Sequence, residues 1–135
     1  MTPDGLTIYS SGFGPRETMD RLVAAVTGRG MSILARIDHA AAAATAGLAL
    51  RPTEVLIFGN ARAGTPLMQT APTLGIDLPL KALVLQDEAG TTWLAFNDPM
   101  WLSGRHGGKS EHEPILRAMA EALAEAADAA TIAGD

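Results

Sequence analysis

The sequence predicts an α+β fold: a mostly antiparallel five-strand sheet with two long helices packed on one face and two short helices. Three observations predict it. Five short segments carry strand-type alternation or continuous apolar runs. Two long segments, near the two ends of the chain, carry an apolar stripe at helical spacing. Strands and long helices do not alternate strictly, which argues against a doubly wound parallel sheet.

Residues 5 to 10, GLTIYS, set Leu6 and Ile8 against Thr7 and Tyr9 and read as the first strand. Gly12 and Gly14 break that pattern. Pro15 then suits a first helical position, with Glu17 in the first turn. Met19, Leu22, Val23 and Val26 make this helix amphipathic, and Gly28 and Gly30 end it. Met31 to Ile37 returns to alternation, with Met31, Ile33, Ala35 and Ile37 expected on one side. Asp38 caps a short alanine-rich helix over His39 to Ala46, closed by Gly47.

Val55 to Phe58 is a continuous apolar run, as in a strand covered on both faces or central in the sheet. Gly59 and Asn60 turn the chain, and Thr65-Pro66 reads as cap and first residue of a second short helix reaching about Thr70. Pro72 and Gly75 stop it. Leu78 to Gln86 and Thr91 to Asn97 are two strands joined by the hairpin loop DEAG. Pro99 to Lys109 reads as irregular. The last helix starts at Ser110 with Glu113 as a capping box, or at Glu113-Pro114. Its stripe is Ile115, Leu116, Met119, Leu123, Ala126 and Ala127, and a short tail is expected over 129–135.

The length of 135 residues suits one domain, which can bury roughly two-thirds of its unfolded surface without staples. A net charge of -5 counts against nucleic acid as a partner. With no cysteine, disulfides, thiolate nucleophiles and thiolate zinc sites are excluded. The N-terminus carries no signal-peptide pattern, and the most apolar run, AAAAATAGLAL at 40 to 50, is too short to span a bilayer. The expectation is a cytoplasmic protein without a membrane partner.

The stretch SGRHGGKS, 103 to 110, is one glycine short of the phosphate-loop pattern. Ser103 stands where glycine is required, the five residues 98–102 separate it from the strand ending at Asn97, and no later strand follows to carry a magnesium-binding aspartate. Nucleotide hydrolysis is therefore not expected. An anion at Gly107, Gly108 and Lys109 or a flexible loop with Ser110 capping the helix both remain open.

Four residues stand out as ligand-binding candidates: His39, Asn60, Arg105 and His106. His39, in a first helical turn, is either an exposed residue or a neutral imidazole free to bind metal or act as base. His106 and His112 lack the i, i+4 spacing of a helical metal pair. Any metal would use His39 and His106 with carboxylates such as Asp38, Asp77, Asp98 or Glu111. Asn60 is either a turn residue with positive φ or a polar group beside a helix start.

Several segments together carry a resemblance: Asp38-His39, Leu56-Ile57-Phe58-Gly59-Asn60, Thr65-Pro66-Leu67, Asp77-Leu78-Pro79, and Asn97-Asp98-Pro99 with Leu102 and Arg105-His106. Over about residues 5–125 the chain resembles the bacterial and archaeal family named domain of unknown function 302. That resemblance implies a compact α+β domain with an antiparallel sheet and homodimers, and it supplies no general activity. The functional expectation is a dimeric binding module for a small anionic or metal-containing ligand such as haem or a divalent metal. The alternatives are a small enzyme with a histidine general base, and a structural or regulatory protein-interaction dimer.

Overall fold

The computed structural model describes residues 2–133. Five strands, β1 (Leu6–Ser11), β2 (Ser32–Asp38), β3 (Thr53–Gly59), β4 (Leu80–Gln86) and β5 (Thr92–Asn97), form one sheet. Their order is β1-β5-β4-β3-β2, and every neighbouring pair is antiparallel. Two long helices, α1 (Pro15–Gly28) and α5 (Glu113–Thr131), pack on each other and against one face. The short helices are α2 (His39–Thr45), α3 (Ala61–Thr70) and α4 (Pro99–Arg105).

The register explains the core. Leu56 and Phe58 of β3, Ala82 and Val84 of β4, and Leu94 and Phe96 of β5 are cross-strand partners pointing to the helix side. They bury against Met19, Leu22 and Val26 of α1 and against Leu123, Ala126, Ala127 and Ala130 of α5. The small alanines of α5 let its backbone approach the sheet, so few aromatics are needed. A second cluster, Leu67, Ala71, Leu74, Leu102 and Leu116, joins α3, α4 and the start of α5 beyond the sheet's end.

Five local expectations change. The side assignment in β2 fails because a register irregularity falls between Ile33 and Ala35. Ile33 pairs with Phe58 on the helix side, whereas Ala35 and Ile37 pair with Ile57 and Val55 on the other. The second short helix starts at Ala61, not at Thr65-Pro66: Asn60 has φ -136° and its side chain accepts from the Arg62 N–H, so it is a helix cap and not a positive-φ turn residue. Pro66 lies inside the helix and forfeits one backbone bond there. Ser110 makes no side-chain cap; it opens a single 3-10 turn, and α5 begins at Glu113 with Pro114 next. The tail expected from 129 continues α5 to Thr131, while Gly134 and Asp135 fall outside the described residues.

The fifth change answers the phosphate-loop question. Residues 99–105, expected to be irregular, form α4, capped by Asp98 through the Met100 N–H with Pro99 in the first turn. Ser103 to Gly108 of SGRHGGKS form the end of this helix and its closure. Gly107 takes φ +70°, and the Gly108 N–H donates to the Ser103 carbonyl at 2.8 Å, a glycine-terminated helix closure. A Cβ at Gly108 would sit 1.7 Å from Ser103 Oγ, so the second glycine is required by a close approach within the helix end, with no phosphate needed to explain it.

Candidate functional site

The four nominated residues do not assemble. In the β2–β3 ladder Ser32 lies opposite Gly59, and Asp38 opposite Glu54. His39 follows Asp38 and Asn60 follows Gly59, so the two stand at opposite ends of a seven-residue strand, roughly 20 Å apart at about 3.3 Å per residue. His39 is exposed in the first turn of α2, where Asp38 accepts from the Ala41 N–H at 2.9 Å. One site built from all four groups is therefore absent from the geometry.

Arg105 and His106 do come together, around a residue from a distant segment. Asp77 follows the 3-10 turn Pro72–Ile76 that links α3 to β4. Its Oδ2 accepts from Arg105 Nη1 at 2.7 Å and lies 2.5 Å from His106 Nε2. On the other side of the ring, Nδ1 is 2.8 Å from Thr73 Oγ1. The hydrogen bond from His106, then the Arg105 charge, holds the Asp77 carboxyl below its ordinary 3.8, although burial pushes the other way.

An ionised carboxylate only accepts, so His106 Nε2 must carry the hydrogen and donate it. In the neutral ring Nδ1 is then a lone pair, and the Thr73 hydroxyl donates to it. The His106 side chain is 8% exposed and that of Asp77 18%. Both ring nitrogens are thus engaged, which leaves His106 no nitrogen for a metal unless the cluster opens. Among the described residues no group of three or more His, Asp or Glu side chains is placed to hold a metal ion.

Beside this cluster lies a cavity of about 340 Å³. Ser32 and Leu34 of β2, Gly59 and Asn60 at the end of β3, Gly64 and Met68 of α3, Leu78 to Leu80, and Met119 of α5 line it. The lining is mainly apolar, with no charged side chain. Asn60 stands at the rim with its side-chain oxygen taken by Arg62 N–H, which leaves its amide nitrogen as a donor. Two glycines are in the lining, and a Cβ at Gly64 would only reach ordinary contact with Leu78 and Met68. Asp77 and the lining residue Leu78 are adjacent, so polar cluster and apolar cavity share one chain segment.

Sequence reasoning named Asn60, Arg105 and His106 but missed Thr73 and most of the lining. Asp77 entered only as one of several carboxylates. The signal that was available is the Asp77-Leu78-Pro79 segment, whose first residue meets the Arg105-His106 segment and whose other two line the cavity.

Over 115 residues, 85% of this chain, the sequence is 44% identical to a Brucella suis biovar 1 (strain 1330) protein named "Fluoride-specific ion channel FluC 1", covering 45% of that protein. A Brucella abortus biovar 1 (strain 9-941) protein of the same name matches at the same identity over 43% of its length. The chain thus spans less than half of these curated relatives. Among the described residues no helix is long and apolar enough to cross a membrane. The crystal structure of an uncharacterized conserved protein DUF302 from Bacillus stearothermophilus superposes with a TM-score of 0.83 at 22% identity, covering 95% of this chain and 99% of that one, and so shares the fold. The family model for the domain of unknown function DUF302 matches residues 7–130, and the chain belongs to that family.

Proposed function

We propose that this chain is a binding module for a small, largely apolar molecule bearing one hydrogen-bonding group. The observation that carries this reading is the cavity between β2, β3, α3 and α5. Its volume falls at the lower end of the roughly 300–1,000 Å³ typical of small-molecule sites, and its lining is apolar with a few polar groups at the rim. Met68 and Met119 give it adaptable, polarisable walls. The ligand class therefore moves away from the expected anion, haem or divalent metal: no cation or imidazole lines the cavity.

The dimeric half of the reading rests on β2. It is an edge strand, so one row of its backbone groups faces no partner strand, and Leu34 is 60% and Ile37 41% exposed. A second copy laid along this edge would cover both side chains and shield the cavity mouth at Ser32 and Leu34. Light scattering then reports a dimer, and Leu34→Lys shifts it to monomer.

The test of the cavity is a thermal-shift screen with short aliphatic and aromatic alcohols. Gly64→Val projects three carbons into the cavity from a Cβ position that meets only the Leu78 and Met68 side chains, at 3.7 and 3.9 Å, so it weakens the ligand-induced shifts, with the unliganded melting temperature read alongside as the control for folding. Shifts that persist unchanged in Gly64→Val would place the binding elsewhere.

The Brucella relatives favour a second use of the same module, as an accessory to a membrane channel, its occupancy signalling to the remainder of the longer chain. The uncharged lining does not suit fluoride, a strongly hydrated anion, as its ligand. Sodium fluoride and sodium chloride then give equal thermal shifts; a fluoride-specific shift would sink this form of the reading.

A further inference from the structure

Outside the cavity, the strongest unassigned arrangement is the line Asp77–His106–Thr73. We propose that it is a hydroxyl–imidazole–carboxylate relay, with Thr73 a nucleophile toward small carboxylic esters. Three features carry the inference. The two links, 2.5 Å and 2.8 Å, engage opposite nitrogens of one ring, as proton transfer through an oriented imidazole requires. The carboxylate fixes the tautomer, so the lone pair faces the hydroxyl. The burial gradient is also right: the imidazole is enclosed, whereas Thr73 is an exposed residue.

A neighbouring pair shows what is missing when the hydrogen bond is merely structural. Thr70 Oγ1 lies 2.8 Å from His112 Nε2, but it also has the Leu67 carbonyl at 3.2 Å as an acceptor for its hydrogen. The Glu111 carboxylate is 3.8 Å from that same Nε2, and among the described residues no carboxylate bonds the opposite nitrogen. No relay exists there. Among the described residues, only the Thr73 hydroxyl is joined to an imidazole that a carboxylate orients from behind.

The chemistry balances without a further reagent. Thr73 Oγ bonds to the ester carbonyl carbon as its proton passes to His106 Nδ1. The carbon–alkoxide bond then breaks, and the Nδ1 proton leaves with the alcohol. Water attacks the acyl-threonine, its proton passes to Nδ1, the carbon–Oγ bond breaks, and Oγ recovers that proton as the acid departs. Thr73 and His106 are the catalytic residues. Asp77 and Arg105 are positioning residues, the first orienting the ring and the second anchoring the first.

The experiment is incubation of the full chain with 4-nitrophenyl acetate, following 4-nitrophenol release and mapping the acetyl group by peptide mass spectrometry. The expected adduct is on Thr73, retained in Thr73→Ser and absent in Thr73→Val. His106→Gln slows its formation about 10²-fold or more, the range for loss of a general base. Asp77→Asn lowers kcat with KM unchanged, a split that a change in binding alone would not give. Acetyl found only on lysine or histidine, or nitrophenol release by Thr73→Val at the wild-type rate, would overturn the proposal. Thr73 is on the surface, so its two variants decide the matter even if His106→Gln fails to fold.

Discussion

The molecule holds two aspartate–histidine pairs, and they differ in everything except composition. Asp38 and His39 are adjacent in the chain; the carboxylate turns away from the imidazole to cap α2, and the ring stands exposed. Asp77 and His106 are 29 residues apart; they meet at 2.5 Å, with the ring enclosed and bonded on both sides. Adjacency lets a residue shape its own backbone, whereas a pairing strong enough to fix a tautomer needs two elements brought together by tertiary packing. The 3-10 turn after α3 and the end of α4 are those elements.

The largest effect that separates the pairs is loss of the imidazole. His106→Ala removes a buried ring and strands both the Asp77 carboxylate and the Thr73 hydroxyl. A hydrogen bond to a charged group contributes about 1.5–3 kcal/mol. With the lost packing, urea unfolding should show a destabilisation of about 2–4 kcal/mol. His39→Ala, at an exposed position with no partner, should stay within about 0.5 kcal/mol. Equal losses would mean the enclosed pair is no stronger than the exposed one.

What was legible in the chain follows the same division between local and distant causes. The five strands and both long helices were readable because Leu56 and Phe58, or Met19, Leu22 and Val26, repeat at the period of their own element. The identity of the side each residue faces was not always readable: the irregularity at Ile33/Ala35 turns β2 over, and alternation alone contains no mark of it. Helix α4 was readable in principle, since Asp98-Pro99 uses the same start signal as Pro15, but the glycines after it suggested a loop. The proline of Thr65-Pro66 misled in the opposite direction, because the cap was already made by Asn60. At the candidate site, Arg105 and His106 stood out as chemistry-bearing residues. Thr73 carried no local signal, and its role exists only because the turn at 72–76 brings it to His106 Nδ1.

Acid should separate the pairs next, by a smaller margin. The Asp77 carboxyl is held below 3.8, first by the His106 hydrogen bond and then by Arg105. Its folded pKa is depressed, so its contribution to stability is present above the unfolded value and disappears as pH falls through the folded one. Between pH 5 and pH 2, the wild type should lose more unfolding free energy than Asp77→Asn, which has no carboxyl to titrate there. Asp87, lowered chiefly by the Trp93 indole N–H, adds to the same acid slope from an exposed loop, so Asp87→Asn serves as the reference for a pair outside the site. An Asp77→Asn curve parallel to wild type would remove the ionic character from the 2.5 Å link.

The smallest effect belongs to the exposed pair. Asp38→Ala deletes the bond to the Ala41 N–H, and loss of such a cap costs about 1 kcal/mol in a helix that the fold depends on. Helix α2 is different: its seven residues include none that is buried, so it can fray while the sheet and the two long helices stay folded. The loss should therefore appear as local opening. Hydrogen exchange at the Ala41 amide should accelerate about fivefold, the equivalent of roughly 1 kcal/mol, while global unfolding shifts by less than that. A full 1 kcal/mol in global unfolding would show that α2 is coupled to the core through β2, and that the exposed aspartate does structural work for more than its own turn.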